Sequence, residues 1–406
     1  MRVLYLQTFP FWGSGSGTYA RHLASEIGRR HKVAILAPDT RPIERAKLYT
    51  VKLPFPVAFT GHPEWPECKL YTELNNEEIY LIYKEFLEAT IKTVNDFKPE
   101  IIHVHHAFPL SWAAAFVKDF YNIPYVVTIH GSELPSMEKV KRYIRATYYA
   151  MYRAKRIVPN SGYTRDWFLS IFKNQFHEKC RVIPGGVSIS KFIYSEAGWK
   201  DVDKKLNLAG RPMVLFAGKV TRYKGVEFLI GAARKIHGDV VILGDGPELA
   251  RLKEKARQNN LTNIHWIGHL GAGVKKLAPY YSRADVFVAP STWDEPLGLV
   301  ILEAMACNTP VVVTRKGGIP LAVKDGYNGF FVRPRNSAEI VEKVNRLLDK
   351  ESLRHKMGVN ARRSVEQKFS WETIGHKFEL MYQRFGKKNG KIQAKFNSNN
   401  TPQTAN

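Results

Sequence analysis

The sequence predicts an α/β protein with two doubly wound parallel sheets, one in each half of the chain. Three observations support this fold class. Short apolar, β-branched runs alternate with longer amphipathic stretches over residues 3–184, and the same alternation restarts at residue 213. A polar, irregular segment separates the two series. Strands that alternate with helices favour parallel sheets whose two faces are covered by helices.

The first series predicts a domain over residues 1–187. Strands are expected at the short apolar runs 3–7, 33–37, 101–105, 125–129, 157–159 and 181–184. Helices are expected where apolar residues recur at helical spacing, at 18–30, 77–97, 109–121, 138–153 and 163–172.

Residues 188–210 follow a Pro-Gly-Gly break and are predicted to be a linker. The second domain then spans 211–369, with strands at 213–217, 240–244, 264–267, 286–289, 311–314 and 329–332. Its helices are expected at 226–236, 249–259, 273–281, 298–306 and 338–348. An apolar stripe predicts a C-terminal helix over 370–386, and the basic, polar composition of 387–406 predicts a disordered tail.

Composition narrows the possible classes of protein. Apolar residues make up 44% of the 406 residues, so the chain can build full hydrophobic cores. The three cysteines, Cys68, Cys180 and Cys307, lack CxxC spacing, which indicates reduced cytosolic thiols rather than disulfides or a zinc site. The net charge of +24 favours anionic partners such as nucleotides, anionic lipid headgroups or nucleic acid. We find no apolar run of the roughly 18 residues needed to span a bilayer.

Glycines and lysines follow the first strand of each predicted domain, where ligands of doubly wound sheets bind. Gly15 and Gly17 precede a helix, so they either bind a phosphate or sugar or only form a tight turn. Lys219 and Lys224 follow the first strand of the second domain. They either neutralise a diphosphate as point charges or are ordinary solvated lysines.

The segment 291–306 carries two glutamates close to the predicted start of a helix. Carboxylates only accept hydrogen bonds and can bind two donors, so Glu295 suits sugar hydroxyls and Glu303 suits ribose hydroxyls. The backbone amides around Leu297, Gly298 and Leu299 are helix N-terminal donors, which suit a diphosphate.

Several motifs occur together in a fixed order. They are the glycine loop 13–17, His130-Gly131, Gly218 with Lys224-Gly225, Gly244-Asp245-Gly246-Pro247, Gly268, Glu295-x₇-Glu303 followed by Ala-Met-Ala-Cys-Asn-Thr-Pro-Val-Val, and Gly317-Gly318. In this order they resemble the retaining glycosyltransferases of family 4 over roughly residues 1–385. The resemblance implies the GT-B fold, in which two Rossmann-like domains face each other across a cleft and the C-terminal helix returns to the first domain.

The resemblance also implies roles for individual residues. Lys219 and Lys224 would bind the donor diphosphate, Glu295 the donor sugar and Glu303 the ribose. His130 would lie near the transferred sugar. The complete set of predicted catalytic residues is Glu295, His130, Lys219 and Lys224, and the predicted donor-binding residues are Gly15, Gly17, Gly218, Lys219, Lys224, Gly244, Gly246, Gly268, His269, Leu270, Glu295, Leu297, Gly298, Leu299 and Glu303.

The chain departs from the family pattern at four positions. Lys219 stands where the family usually has Arg, Gly185 where Asn is common, and Asn308 where Gly is common. Leu321 stands where Glu is common, which removes a charge near the site.

The histidines His103, His105 and His106, with His130, admit two interpretations. They either form a metal site or are polar residues at strand ends, and the second is favoured because no carboxylate partner is fixed nearby. No Asp-x-Asp pair follows a strand, so we expect a metal-independent enzyme without a cofactor other than its donor substrate.

The sequence therefore predicts a retaining transferase that moves a hexose from a UDP- or GDP-sugar to an acceptor hydroxyl on a glycan, a lipid-linked molecule or a small molecule. Two alternatives stay open: an epimerase or hydrolase on the same fold, and a degenerate transferase that binds anionic membrane or nucleic acid. Nucleic acid is the less favoured partner, because the sequence lacks the aromatic-rich motifs of RNA-binding proteins.

The basic surplus in residues 134–181 indicates either an ordinary helix or a membrane-surface helix. We expect a cytoplasmic protein that docks at the inner face of the cell membrane.

Overall fold

A computed structural model describes residues 1–61, 65–270 and 274–396 of the chain. The chain forms two compact units. The first consists of Met1–Ile183 with the chain from Ile374 onward, and the second consists of Pro184–Thr373. Each unit contains a six-stranded sheet, which confirms the predicted α/β class with two parallel sheets.

The strands of the first unit, within its described residues, are β1 (Arg2–Leu6), β2 (Lys32–Ala37), β3 (Lys47–Thr50), β4 (Val57–Ala58), β5 (Lys69–Leu70), β6 (Ile101–His105), β7 (Tyr125–Ile129) and β8 (Arg156–Pro159). Six of them form a parallel sheet in the order β3-β2-β1-β6-β7-β8, and β4 pairs with β5 separately. The order reverses between β1 and β6, which is the ligand-binding position of a doubly wound sheet.

The first unit's helices are α1 (Gly15–Ile27), α2 (Asn76–Phe97), α3 (Leu110–Tyr121), α4 (Leu134–Lys139), α5 (Arg142–Arg153) and α6 (Gly162–Ile171). Local chemistry fixes their ends. The side chain of Asn75 accepts from the Glu78 amide while Glu78 bonds back to the Asn75 amide, so a capping box starts α2. Lys98 ends the same helix in the left-handed conformation.

The second unit repeats the topology with β9 (Met213–Ala217), β10 (Asp239–Leu243), β11 (Ile264–Gly268), β12 (Val286–Ala289), β13 (Val311–Thr314) and β14 (Gly329–Val332). They form a parallel sheet in the order β11-β10-β9-β12-β13-β14. Its helices are α7 (Glu196–Leu206), α8 (Val226–Ala232), α9 (Leu249–Gln258), α10 (Val274–Arg283), α11 (Leu299–Ala306), α12 (Ser337–Leu348) and α13 (Glu351–Lys368). The central strands are buried along their whole length because helices cover both faces.

The last helix, α14 (Trp371–Phe396), begins in the second unit and belongs to the first from Ile374 onward. The hydroxyl of Tyr382 lies 3.0 Å from that of Tyr5 and 2.6 Å from Nδ1 of His103, inside the first core. The predicted return of the C-terminal helix to the first domain is confirmed. Among the described residues, no helix is both long enough and apolar enough to cross a membrane.

The structure differs from the predicted elements in several places. Residues 181–184 are not a strand but extend beside β8, and the sixth strand of the sheet is β3, a half-exposed edge strand with little apolar pattern. The predicted helix 138–153 is divided into α4 and α5 by the non-helical backbone of Val140, with φ −119° and ψ 88°.

Helices extend into two polar segments of the chain. The linker 188–210 contains α7, because the Ser195 hydroxyl caps its first turn by accepting from the Gly198 amide at 3.2 Å. Helix α14 extends to Phe396, and the disordered tail predicted over 387–406 stays a prediction. Tail residues 397–406 and Gly273 of the predicted helix 273–281 lie outside the described residues.

Candidate functional site

The predicted donor-binding glycines of the second unit follow the carboxyl ends of neighbouring strands. Gly218 comes directly after β9, Gly244 after β10, and Gly268 ends β11. Backbone bonds join these loops, since the Gly218 amide donates to Leu243 O at 3.0 Å and the Gly244 amide donates to Gly268 O at 2.9 Å. The three strand ends therefore form one continuous rim.

Close packing explains why glycine is needed at Gly244. Its φ is +147°, and a Cβ there would lie 1.9 Å from the carbonyl oxygen of Gly218. Gly246 similarly approaches the carbonyl of Val220. Packing within this rim therefore requires both glycines of the Gly-Asp-Gly-Pro motif.

Glu295 is a buried carboxylate at this edge. It is 8% exposed, and its Oε1 accepts from Lys224 Nζ at 2.5 Å and from Ser291 Oγ at 2.8 Å. In the described part of the chain, Oε2 of Glu295 has no hydrogen-bond partner. One oxygen therefore fixes the carboxylate, and the other can accept from a ligand hydroxyl.

The loop after β13 fixes the backbone of Glu295. The Gly318 amide donates to Glu295 O at 2.6 Å, and the Gly317 amide donates to Asp294 Oδ1 at 2.9 Å. Gly317 has φ +54°, and a Cβ there would lie 2.2 Å from Glu295 O. Lys316 completes the contact through an ion pair with Asp294 at 3.0 Å.

The two predicted diphosphate lysines have different surroundings. Lys219 is exposed, whereas the side chain of Lys224 is largely covered and paired with Glu295. An ammonium has three N–H donors, so the pair leaves two on Lys224 for another acceptor. The structure therefore brings Lys224 and Glu295 together, while Lys219 stays at the solvent-exposed end of the same loop.

Helix α11 starts next to this pair. Leu297 is buried, Gly298 caps the helix with φ +80°, and Leu299 is its first residue. The first amides of an α-helix have no intrahelical partner and favour negative charge. The predicted anion-binding amides are thus at the start of α11.

Glu303 lies farther along α11 and is partly buried. Tyr281 donates its hydroxyl to Glu303 Oε2 at 2.7 Å. Burial raises the pKa of Glu303 to about 7, and the Tyr281 hydrogen bond opposes that rise. Glu303 therefore exchanges its proton close to neutral pH.

Two other predicted positions, and the departure from the family pattern at Leu321, are exposed or half-buried. His269 is exposed and Leu270 half-buried, both directly after β11. Leu321, which stands where the family usually has Glu, is an exposed apolar side chain at the end of a short 3₁₀ turn.

Gly15 and Gly17, predicted to lie in a loop, are inside the first turn of α1. Ser14 caps the helix, and its hydroxyl accepts from the Gly17 amide at 3.0 Å. Helix formation three residues earlier than predicted follows from this cap. The Gly17 amide is consequently already bonded within the chain.

His130 follows β7 in the first unit and is 5% exposed. Its Nε2 lies 2.9 Å from Nδ1 of His105, the last residue of β6. Its amide donates to Glu133 Oε1 at 3.1 Å. Burial lowers the pKa of His130 to about 3 and raises that of Glu133 to about 7, so the imidazole is neutral at physiological pH.

The neighbouring histidines form a buried stack. The rings of His103 and His105 lie 4.5 Å apart, and His106 packs 4.7 Å from His130. Burial keeps the pKa values of all three well below the ordinary range. Within the described residues, no group of three or more His, Cys, Asp or Glu side chains is arranged to hold a metal ion.

A cavity of about 590 Å³ opens at the carboxyl ends of β1, β2 and β3 in the first unit. Its lining combines charged, hydroxyl and aromatic groups, among them Asp39, Arg41, Thr50, Lys52, Phe55 and Trp65. Phe55 and Trp65, its two aromatic residues, come from a proline- and aromatic-rich stretch of the sequence whose residues 62–64 lie outside the described part.

Sequence reasoning missed three side chains that hold carboxylates of this site. Ser291 had a signal, since it follows β12 at the start of the motif. Tyr281 and Lys316 had none, because they reach Glu303 and Asp294 from 22 residues away in sequence.

Family profiles match both halves of the chain. The profile described as Glycosyltransferase Family 4 covers residues 13–191, and that described as Glycosyl transferases group 1 covers residues 199–364. An uncharacterized glycosyltransferase of Methanocaldococcus jannaschii is 31% identical, covering 67% of this chain and 72% of the relative. Alpha-maltose-1-phosphate synthase of Mycolicibacterium smegmatis is 29% identical over 73% of this chain and 82% of its own.

Solved structures share the fold. Sucrose-phosphate synthase from Thermosynechococcus elongatus superposes with a TM-score of 0.75 at 22% identity, covering 94% of this chain and 98% of its own. Anabaena HepE in complex with UDP-glucose gives a TM-score of 0.74 at 19% identity, covering 95% and 100%. The sequence profiles, the relatives and the two Rossmann-like sheets together show that the chain belongs to glycosyltransferase family 4 and is a glycosyltransferase with the GT-B fold.

Proposed function

We propose that this glycosyltransferase transfers a hexose from a UDP- or GDP-sugar to an acceptor hydroxyl with retention of the anomeric configuration. The observation that carries the proposal is the Lys224–Glu295–Ser291 group beside the start of α11. It puts a cation, a carboxylate with one open oxygen and helix amides at one strand edge. These are the groups that a sugar attached to a diphosphate needs.

The nucleotide-sugar donor has support from a structural relative, since HepE was solved with UDP-glucose. The epimerase, hydrolase and binding-protein alternatives are not favoured, because the relatives described above are glycosyltransferases and synthases.

In the proposed reaction, the bond between the sugar C1 and the diphosphate oxygen breaks while a bond from the acceptor oxygen to C1 forms on the same face. The leaving phosphate oxygen takes the acceptor proton. Lys219, Lys224 and the first amides of α11 stabilise the negative charge that develops on the diphosphate. Glu295 orients the sugar hydroxyls, and Glu303 binds the ribose.

The first unit is proposed to bind the acceptor, with His130 contacting the transferred sugar. The cavity at β1–β3 supports this assignment, because it offers aromatic surfaces with polar groups between them. A glycan, a lipid-linked sugar or a small molecule would each satisfy this chemistry.

The test begins with donor identity. A thermal-shift screen with UDP, GDP and their hexose derivatives should reveal one nucleotide series that raises Tm, since binding stabilises the folded protein by mass action. Product analysis with that donor should then show a glycosylated acceptor. Free sugar or an epimer as the main product would contradict the transferase mechanism.

The variant Glu295→Gln tests the site directly. We expect a loss of turnover on the order of 10²-fold, because the charge is lost while the shape is retained. Asp239→Asn is a matched control, since Asp239 is a buried carboxylate paired with Arg211 at 2.7 Å but located at the opposite end of the same sheet. Equal losses in both variants, or none in Glu295→Gln, would argue against the proposed role.

We also propose that the enzyme docks from the cytoplasm on the anionic inner face of the cell membrane, through a surface that we call the aromatic–basic face. It comprises exposed aromatic side chains on the neighbouring helices α3 and α5: Phe120, Tyr121, Tyr148, Tyr149 and Tyr152. Phe120 is 74% exposed and Tyr152 60%. Aromatic side chains of this kind favour membrane interfaces.

Cations lie beside this face. The Nζ of Lys179 lies 5.2 Å from the ring centroid of Tyr152. Partial burial, together with the positive charges of Lys155 and Arg156, lowers the pKa of Lys179. Arg156 also lies 5.9 Å from the ring of Phe385, so α14 reaches this face just before its lysine-rich end. Each basic residue near an anionic leaflet adds about 1 kcal/mol of attraction.

Flotation with vesicles of phosphatidylglycerol and phosphatidylcholine tests this docking. Binding should appear at low salt, fade near 0.5 M salt and weaken in Phe120→Ser. Lys253→Glu, an exposed change on α9, is the control. No binding at low salt, or tighter binding to RNA than to vesicles, would exclude the membrane role and leave the transferase proposal intact.

A further inference from the structure

The backbone of His130 makes two hydrogen bonds to side chains, whereas its ring makes one polar contact. Its amide donates to Glu133 Oε1 at 3.1 Å, and its carbonyl accepts from Asn160 Nδ2 at 3.0 Å. The ring makes a polar contact only at Nε2, with His105, and Nδ1 has no partner among the described residues. The backbone is therefore fixed from both sides, and His105 is the polar group that fixes the ring.

The position of His105 is set by the sheet. It is the last residue of β6, and in the register of the sheet it pairs with Thr128 of β7, two residues before His130. Its ring is fully buried between those of Tyr5 and Tyr19, at 5.7 Å and 5.9 Å. A side chain packed on a rigid strand can hold the ring of His130 in one orientation.

The contact between the two rings also restricts which nitrogen of each ring carries the proton. Both imidazoles are neutral because burial keeps both pKa values well below physiological pH. A neutral imidazole has one N–H and one lone pair, so one ring must donate across the 2.9 Å contact and the other must accept. If His105 donates from Nδ1, the proton of His130 is on Nδ1. If His130 donates from Nε2, the proton of His105 is on its own Nε2.

In both arrangements the two histidines carry their protons on the same kind of nitrogen. We propose that His105 is a positioning residue that holds His130 in one tautomer and one ring orientation, and so decides what His130 Nδ1 offers to the substrate. The role in the reaction rests on the proposed contact of His130 with the transferred sugar. The tautomer link itself does not depend on that contact.

The direct test needs neither a variant nor a ligand. In long-range ¹H–¹⁵N spectra of the full chain labelled with ¹⁵N-histidine, His105 and His130 should each show a single tautomer, and it should be the same one. Opposite tautomers, or an average of both at His130, would overturn the inference. Because activity is not measured, this outcome is independent of the proposed transferase function.

Variants test the consequence for catalysis. An asparagine at position 105 places its amide near the position of imidazole Nδ1, whereas a glutamine places it near Nε2. His105→Asn should therefore retain most activity, while His105→Gln and His105→Phe should lower kcat about 5- to 10-fold, the effect of one lost hydrogen bond. In His105→Phe the ¹⁵N pattern of His130 should become a mixture of tautomers.

The KM for the donor found in the thermal-shift screen should change less than kcat in His105→Phe. Equal activity of the Asn and Gln variants, both folded by circular dichroism, would show that Nδ1 has no special role and would overturn the proposal. An unchanged tautomer of His130 in His105→Phe would do the same.

Discussion

Replacing Glu303 by glutamine should have opposite effects on stability and on nucleotide binding. Burial raises the pKa of Glu303 to about 7 from the ordinary 4.5, so the unfolded chain loses this proton first as the pH rises. Stability should therefore fall between pH 4.5 and pH 8, and the full cost above pH 8 is up to about 3 kcal/mol. Glutamine removes this cost and still accepts from Tyr281.

Differential scanning calorimetry at pH 5 and pH 8 measures the effect. Glu303→Gln should nearly match the wild type at pH 5 and exceed its Tm by about 6–12 °C at pH 8, at about 2–4 °C per kcal/mol for a unit of this size. Glu342→Gln, an exposed change on α12, should show no such pH dependence. A Tm difference that is the same at both pH values would refute the reasoning.

The same variant should bind UDP or GDP more weakly, because an amide oxygen accepts less strongly from ribose hydroxyls than a carboxylate does. Isothermal titration at pH 8 measures this second effect. Tighter nucleotide binding together with higher stability would contradict the ribose role while leaving the pH argument intact.

Three further outcomes are expected. In urea, the free energy of unfolding should be about 1–3 kcal/mol lower for Gly317→Ala than for Gly326→Ala. Both glycines have positive φ, but only a Cβ at position 317 would clash with the Glu295 backbone. Equal losses of stability would contradict the role of this contact. Lys224→Ala should lower kcat/KM for the donor about 10²-fold, and Lys224→Arg should retain part of the activity because it keeps the positive charge. An arginine variant as inactive as the alanine variant would show that the charge alone is not sufficient. Activity should survive excess EDTA, since lysines and helix amides supply the positive charge; a loss restored by Mn²⁺ or Mg²⁺ would require a metal.

Much of the fold could be predicted from local patterns. Buried parallel strands are continuous apolar runs, so β6, β7 and the strands of the second sheet are evident in the sequence. The edge strand β3 was missed because its half-exposed residues lack that signal. Helix α7 was missed because its stability comes from a serine cap and from packing rather than from a strong apolar stripe.

The sequence by itself determined which residue types follow the strands, including Glu295, Lys224 and His130, and that Glu303 follows Glu295 at a fixed spacing, because these motifs are local. Only the tertiary structure decided how they are held. The bond from Tyr281 to Glu303 and the contact of His105 with His130 join side chains 22 and 25 residues apart. Burial then sets their protonation, and burial depends on how distant segments pack, which no local pattern encodes.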